Sequence, residues 1–372
     1  MATANRRPWS TSPPAIVESL SRRPPATATA SSFYFPPELI PRIASRLTSL
    51  QDFFALRAAC RAYRALLPLT PSNLASQAPL LVPCDDSESH ALLHLPLRRI
   101  HRFRLPRTGL GATHDVVTEV RTLGCRVAIS QGRSQTCDSS MSALVLNGVT
   151  NAIYSVSTAS GSASPPPPRV FDRILLSGDI VVSWEYDHTI YCRVGAPKWR
   201  TAAISLSYHL EHLILVKDTL YALVDPDQRL ATVELPDNSN NNNGLKLTFL
   251  GNGFDTQEHG ARVFSLAECR GELLLVLISM GSEWFHVLQW QSEERKWVRI
   301  TNLGGCTLFF AGSYFSGYLG PDHPGIRGDC IYDTRSRFCC VFSLIDKSLD
   351  GVATLREEPY CCPPLWVFPS MC

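Results

Sequence analysis

Two histidine pairs, His209-x-x-His212 and His90-x3-His94, have spacings that could turn imidazoles toward one metal ion, and thirteen cysteines could add thiolates. A closed zinc site needs four ligands in a tetrahedron. Neither pair is accompanied by a Cys-x-x-Cys or a third ligand nearby, and the adjacent pairs Cys339-Cys340 and Cys361-Cys362 are poorly shaped to share one centre. Gly109-x-Gly111 and Gly251-x-Gly253 read as turns, since no further glycine follows at dinucleotide spacing. The chain has no Gly-x-x-x-x-Gly-Lys-Ser/Thr phosphate loop, no Gly-x-Ser-x-Gly elbow and no kinase motif set. The carboxylate pairs Asp85-Asp86, Glu293-Glu294 and Glu357-Glu358 sit in polar stretches and read as solvated charge. The expectation is a protein that is not an enzyme, with no catalytic residue, no cofactor and no metal.

The composition bounds what such a chain can bind. With 35 Lys+Arg against 33 Asp+Glu, the net charge of +2 is too small for bulk capture of nucleic acid or an anionic membrane. Apolar residues make up 45% and charged ones 18%, enough to bury a large core. No apolar run approaches the ~18 residues of a spanning helix. The cysteines are odd in number and scattered, no secretory apolar region opens the chain, and no Asn-x-Ser/Thr sequon occurs. They therefore read as reduced, mostly buried small hydrophobes, and the expected location is cytoplasm or nucleus.

Residues 1–32 are rich in Ala, Ser, Thr, Pro and Arg, with Glu18 as their one acid. A transit peptide shares that composition, but Pro8, Pro13, Pro14, Pro24 and Pro25 would interrupt its amphipathic helix, so a disordered tail is expected. Residues 33–70 form a helical unit. Leu39, Ile40, Ile43 and Leu47 put four aliphatics on one helix face, behind a Pro36-Pro37-Glu38 start. Pro41 should distort the first turn. After a break at Thr48-Ser49 comes a second stripe, Phe53, Leu56, Cys60 and Tyr63, with a third helix running into Leu66. About 30 residues cannot bury a core alone, so the unit wants a partner surface.

Beyond Pro68 the period changes to that of strands. HLILV (212–216), TLYALV (219–224) and RLATVEL (229–235) are apolar runs split by short polar turns, which makes a β-meander. The theme returns at 272–301, more loosely at 181–204, and at 307–344 as TLFFAG, DCIYDT and FCCVFSL. The copies end on strands led by Trp199, Leu230, Trp297 and Phe338, an irregular repeat on the scale of propeller blades of ~40–50 residues. Ser160–Pro168 and Asn238–Asn243 read as loop insertions.

The segment PPELIPRIASRLTSLQDFFALRAACRAYRALL (36–67) resembles an F-box. It shares the Pro-Glu/Asp-Leu start, the Ile-x-x-x-Leu of the first helix and the aromatic-x-x-x-Arg-x-x-Cys-Arg-x-aromatic run, but departs at Phe35 where Leu is usual, at Pro41, and at Tyr63 where Trp is common. The segments FDRILLS (171–177), CRGELLLVL (269–277), FHVLQWQSEERKWVRITNLGGCTLFFAG (285–312), GDCIYDT (328–334) and PPLWVFPS (363–370) resemble the kelch-like β-propeller of a plant family, that of domain of unknown function 295 (the KIB group).

The resemblance implies a mainly β protein with a small α domain: an N-terminal three-helix F-box, then a six- or seven-bladed kelch-like β-propeller over 75–370, sealed by PPLWVFPS. It further implies the substrate-recognition subunit of a Skp–cullin–F-box ubiquitin ligase. The adaptor, and through it a cullin, would meet Pro36, Pro37, Leu39, Ile40, Ile43, Leu47, Phe53, Leu56, Cys60 and Tyr63, with Pro36, Pro37, Leu39 and Ile40 foremost. The propeller would hold an unidentified protein substrate. Three alternatives stay open: a ligase-independent or kinase-masking binding module, a propeller enzyme of the kelch-type copper oxidase kind, and helices that pack on the propeller as a lid.

Overall fold

The computed structural model describes residues 35–47 and 50–68, the strand segments between 79 and 203, residues 207–354 apart from 237–243, 256–259, 280–283, 322 and 336–337, and residues 365–368. Among the described residues, three short helices, α1 (Leu39–Ala44), α2 (Leu50–Ala58) and α3 (Arg61–Leu66), come first, and every later element is a strand. In chain order the strands make six sheets. The first holds β1 (Leu80–Val82), β2 (His90–His94) and β3 (Arg99–Phe103); the second holds β4 (Asp115–Leu123), β5 (Arg126–Arg133), β6 (Ser142–Asn147) and β7 (Ile153–Ser157). The third is β8 (Ile174–Ser177), β9 (Ile180–Trp184), β10 (His188–Arg193) and β11 (Arg200–Ala203). The fourth is β12 (His209–Val216), β13 (Thr219–Asp225), β14 (Arg229–Glu234) and β15 (Lys246–Leu250). The fifth is β16 (Ala261–Cys269), β17 (Glu272–Ser279), β18 (Phe285–Gln291) and β19 (Lys296–Ile300). The sixth is β20 (Thr307–Ala311), β21 (Tyr314–Leu319), β22 (Cys330–Arg335), β23 (Phe338–Ser343) and β24 (Leu349–Thr354). The last strand, β25 (Leu365–Val367), returns to join the first sheet beside β1.

The edge strands β4, β8, β12, β16, β21 and β25 touch one another in that cyclic order, with β25 meeting β4 again, so the sheets stand in a closed ring about these inner strands. The inner strands β4, β12 and β16 each carry a register shift near the start, at Val117/Glu119, Leu210/His212 and Val263/Ser265. Such bulges increase local twist, which a sheet radiating from a ring requires. Lys217-Asp218 and Arg270-Gly271 close the hairpins that follow β12 and β16, all four with positive φ (47°, 63°, 56° and 80°). A two-residue turn of that hand matches the twist of the strands it joins.

The core lies between the sheets. Leu213, Ala222 and Val233 pack with Trp184 and Tyr191 between the third and fourth; Ile214, Leu223, Leu275 and Trp290 fill the space between the fourth and fifth. Val276, Phe285, Phe310 and Phe342 join the fifth to the sixth, with Phe285 edge-on to Phe342 at 5.7 Å between ring centres. Each strand of a sheet with a layer on both faces must be apolar on both, which explains the burial of six consecutive residues, Leu273–Ile278, in β17.

The ring is fastened where the chain ends meet. Leu80, Leu81 and Val82 pair with Val367, Trp366 and Leu365 in antiparallel register. Trp366 and Phe368 have no exposed surface and pack against Phe309, Tyr332 and Val341 of the sixth sheet. The Trp366 indole N–H donates to the Phe310 carbonyl at 2.9 Å, and its ring stands edge-on to Phe309 at 5.1 Å. One short strand thus belongs by hydrogen bonds to the first sheet and by side chains to the sixth.

The stretch 307–344 is not a meander. β20 and β22 are parallel neighbours, Thr307 opposite Cys330, because Tyr314–Leu319 forms a hairpin partner on the inner side of β20 and the chain returns past it. Three of the sequence copies also occupy unlike positions: Leu230 lies on the third strand of its sheet, Trp297 on the fourth, and Phe338 on β23 of a five-stranded sheet. Trp199, Ser160–Pro168 and Asn238–Asn243 lie outside the described residues.

Replacing Trp366 by Ala should destabilise the ring by about 3–5 kcal/mol, the usual cost of removing a buried aromatic. The half-exposed Trp284 gives the matched control, expected within ~0.5 kcal/mol of wild type. Urea unfolding of both variants makes the comparison, and equal losses would contradict the closure.

Candidate functional site

The helical unit builds its own small interior. Ile40 and Ala44 of α1, Phe53 of α2 and Tyr63 of α3 are buried together with Leu67, and Leu47, Leu56 and Leu66 pack half-buried around them. Pro41 follows a tightened first turn, whose bonds reach three residues back rather than four. It is the third residue of α1, where no intrahelical acceptor awaits its missing N–H, and the Leu39 and Ile40 amides already bond back to the Pro36 and Pro37 carbonyls at 3.0 and 3.3 Å. The stripe through Cys60 is broken: α2 ends at Ala58, and Cys60 caps α3, its Sγ accepting the Tyr63 amide at 3.4 Å. Arg57 Nε donates to the Leu67 carbonyl at 2.9 Å and closes the other end of α3.

Of the ten residues expected at an adaptor contact, the structure exposes Pro36, Leu39 and Cys60. Pro37, Ile43, Leu47 and Leu56 are half-buried. Ile40, Phe53 and Tyr63 form the interior of the unit, Ile40 and Phe53 with no exposed surface at all. Among the described residues of the helical unit, the large apolar side chains left open are Phe35 (42% exposed), Leu39 (40%) and Phe54 (38%). Phe35 and Phe54 escape a reading by stripes. Phe54 stands one position, ~100° around the helix, from the buried Phe53, and Phe35 precedes α1 altogether.

A second cluster lies where the hairpin turns of the fourth and fifth sheets meet. Glu268 accepts the Gly271 amide at 2.6 Å, and Lys217 reaches Glu272 at 3.2 Å, an exposed pair of small energetic weight. A Cβ on Gly271 would lie 2.3 Å from Lys217 Cε, so the two turns touch, and the φ of 80° at this position favours glycine. Asp329 ties the adjoining loop, its Oδ1 accepting the amides of Leu303 (2.6 Å) and Gly305 (3.0 Å). Burial pushes the Glu268 carboxyl above its ordinary range, against the pull of the Gly271 N–H and Lys217. Burial likewise raises the Cys269, Cys330 and Cys339 thiols, with the neighbouring Cys306 adding to the rise at Cys269. A thiol held protonated in an apolar layer is a poor nucleophile and a poor ligand.

Among the described residues, no three His, Cys, Asp or Glu side chains are grouped to hold a metal ion. None of the described helices is long and apolar enough to cross a membrane. His209 is exposed and His212 half-buried on β12. Gly251 and Gly253 serve packing: a Cβ at either would come within 2.5 Å of the Arg295 or Asp227 carbonyl oxygen. Gly109, Gly111, Asp85, Asp86, Glu357, Glu358, Cys361 and Cys362 lie outside the described residues.

Radiating sheets closed by a shared terminal strand, with apolar layers between them, define a β-propeller. The family model described as KIB1-4 beta-propeller matches residues 71–351, and the chain belongs to that family. No curated protein matches the sequence. Among solved structures it is similar to YCF48 from Cyanidioschyzon merolae, at 12% identity and a TM-score of 0.35 over 63% of this chain and 79% of that one. It is similar to PorZ, a surface component of the type-IX secretion system of Porphyromonas gingivalis, at 12% identity and a TM-score of 0.39, covering 77% of this chain but only 37% of PorZ. The oligogalacturonate lyase of Vibrio parahaemolyticus aligns at 10% identity with a TM-score of 0.34, over 74% of this chain and 84% of the lyase.

The raised Glu268 carboxyl yields a pH test. A fold that favours the protonated form gains from it at low pH and loses that gain as pH rises through the shifted titration. Glu268→Gln keeps an oxygen for the Gly271 amide and carries no charge. Its urea midpoint should match wild type at about pH 4 and exceed it at about pH 8. A variant less stable than wild type at the higher pH would show that the ionised carboxylate is favoured instead.

Proposed function

We propose that this chain is the substrate-recognition subunit of a Skp–cullin–F-box ubiquitin ligase. In this reading α1–α3 are an F-box that docks on a Skp-type adaptor, and through it a cullin. Each of the six sheets is one blade of a kelch-like propeller that presents a protein substrate, in cytoplasm or nucleus. The observation that carries the reading is a three-helix unit with its own interior that still leaves Phe35, Leu39 and Phe54 open to solvent. Helices that packed on the ring as a lid would spend these side chains there. An adaptor groove is the kind of apolar surface that accepts them. Membership of the KIB1-4 propeller family supports a protein-interaction module as the larger part.

The burial pattern also divides the work within the unit. Leu39 and Phe54 can reach a partner, whereas Ile40, Phe53 and Tyr63 hold the helices together so that they do. A double Leu39→Ala/Phe54→Ala change in the full chain should weaken binding of a Skp-type adaptor by about thirtyfold or more, taking ~2 kcal/mol for a lost anchor. Thermal unfolding of the ring should not move. Ile40→Ala should instead loosen the helical unit itself, by about 2–5 kcal/mol. Wild-type adaptor affinity in the double variant, measured by calorimetric titration, would overturn the reading.

A further inference from the structure

Two of the places where the helical segment departs from the F-box pattern meet in the structure. Tyr63 stands where Trp is common, Phe35 where Leu is usual, and the Phe35 amide donates to the Tyr63 hydroxyl at 3.2 Å across 28 residues of chain. Tyr63 is 5% exposed and fixed by its place in the interior with Ile40, Ala44 and Phe53. Its own amide is held by Cys60 Sγ. The hydroxyl is therefore an acceptor fixed in the interior of the unit, and Phe35, 42% exposed, is the residue it holds. Immediately after Phe35 the chain turns into α1 through the bonds of the Leu39 and Ile40 amides to the Pro36 and Pro37 carbonyls. Fixing residue 35 thus fixes the direction in which Phe35 and Leu39 face outward.

We infer that Tyr63 is a positioning residue for the adaptor-docking surface, its hydroxyl holding the Phe35 backbone so that Phe35 and Leu39 are presented ready-ordered to the partner. The inference rests on the F-box reading above. The chemistry is specific to tyrosine. A phenolic oxygen accepts a hydrogen bond, an indole N–H only donates, and a phenyl ring does neither. Tryptophan at this position could fill the interior but could not take the Phe35 amide. An ordered segment binds more tightly than one that must be ordered at the moment of docking.

The test uses the full chain carrying Tyr63→Phe, which keeps the buried ring and removes one oxygen. Two readouts are taken: hydrogen exchange of a peptide spanning residues 35–39 in the free protein, and affinity for a purified Skp-type adaptor. Loss of one hydrogen bond should speed exchange at residues 35–39, leave α2 and α3 as protected as in wild type, and weaken the adaptor about three- to tenfold. Tyr63→Trp should show the same faster exchange and no rescue of affinity. Unchanged exchange at residues 35–39, unchanged adaptor affinity, or a general loss of protection through α2 and α3 would each overturn the positioning role. If wild type itself fails to bind the adaptor while Tyr63→Phe still frees residues 35–39, the restraint stands but the positioning role falls with the docking reading.

Discussion

A ring of sheets has no end to fray only if its first and last members are joined. Here the joint is three residue pairs, Leu80–Val82 against Leu365–Val367. Antiparallel hydrogen bonds alone would hold so short a strand weakly, because the water they displace offers bonds of similar strength. Trp366 and Phe368 add what the ladder lacks: two fully buried aromatic side chains set into the sixth sheet, with the indole N–H satisfied by Phe310. Burial of such a ring is worth several times one net hydrogen bond. The family match, residues 71–351, takes in the first of these two strands and ends before the last.

Closure separates the two parts of the molecule physically. The apolar layers between sheets satisfy one another around the ring, from Trp184 and Leu213 through Trp290 and Leu275 to Phe310 and Phe342. The helical unit satisfies itself through Ile40, Phe53 and Tyr63. Neither needs the other's core. The helices keep Phe35, Leu39 and Phe54 exposed outside that interior.

Strands were legible in the sequence where apolar runs were dense and the turns between them polar. Leu273–Ile278 reads as a strand from its apolar run, though not as one covered on both faces, and Lys217-Asp218 and Asp225–Gln228 mark the turns of the fourth sheet. The closing role of PPLWVFPS (363–370) was legible only through the family resemblance, and Leu365–Val367 is the part of it that pairs with the first strand. Strand identity was hidden where glycine and serine dilute the pattern: Tyr314–Leu319 carries Ser316 and Gly317, and its presence converts an apparent meander into a parallel crossover. Asp115–Leu123 and Arg126–Arg133 mix charges with apolar residues and so show no run. At the helical unit, spacing identified the apolar positions but not which of them face inward. Ile40 and Leu39 are adjacent aliphatics, and only the packing of α1 on α3 assigns one to the interior and the other to solvent. The Tyr63–Phe35 bond spans 28 residues and involves a backbone amide, so no side-chain pattern could announce it.

The fold rests on a ring closed by its last strand, beside a helical unit with its own interior. Native-state hydrogen exchange of the full chain at increasing denaturant tests both together. The amides of residues 80–82 and 365–367 should open with the same free energy as those of β16 and β17, and the amides of α1–α3 with a separate, lower one. Exchange at 365–367 near the rate of an unstructured chain, while β16 and β17 stay protected, would show that the ring does not depend on this strand and would contradict the account.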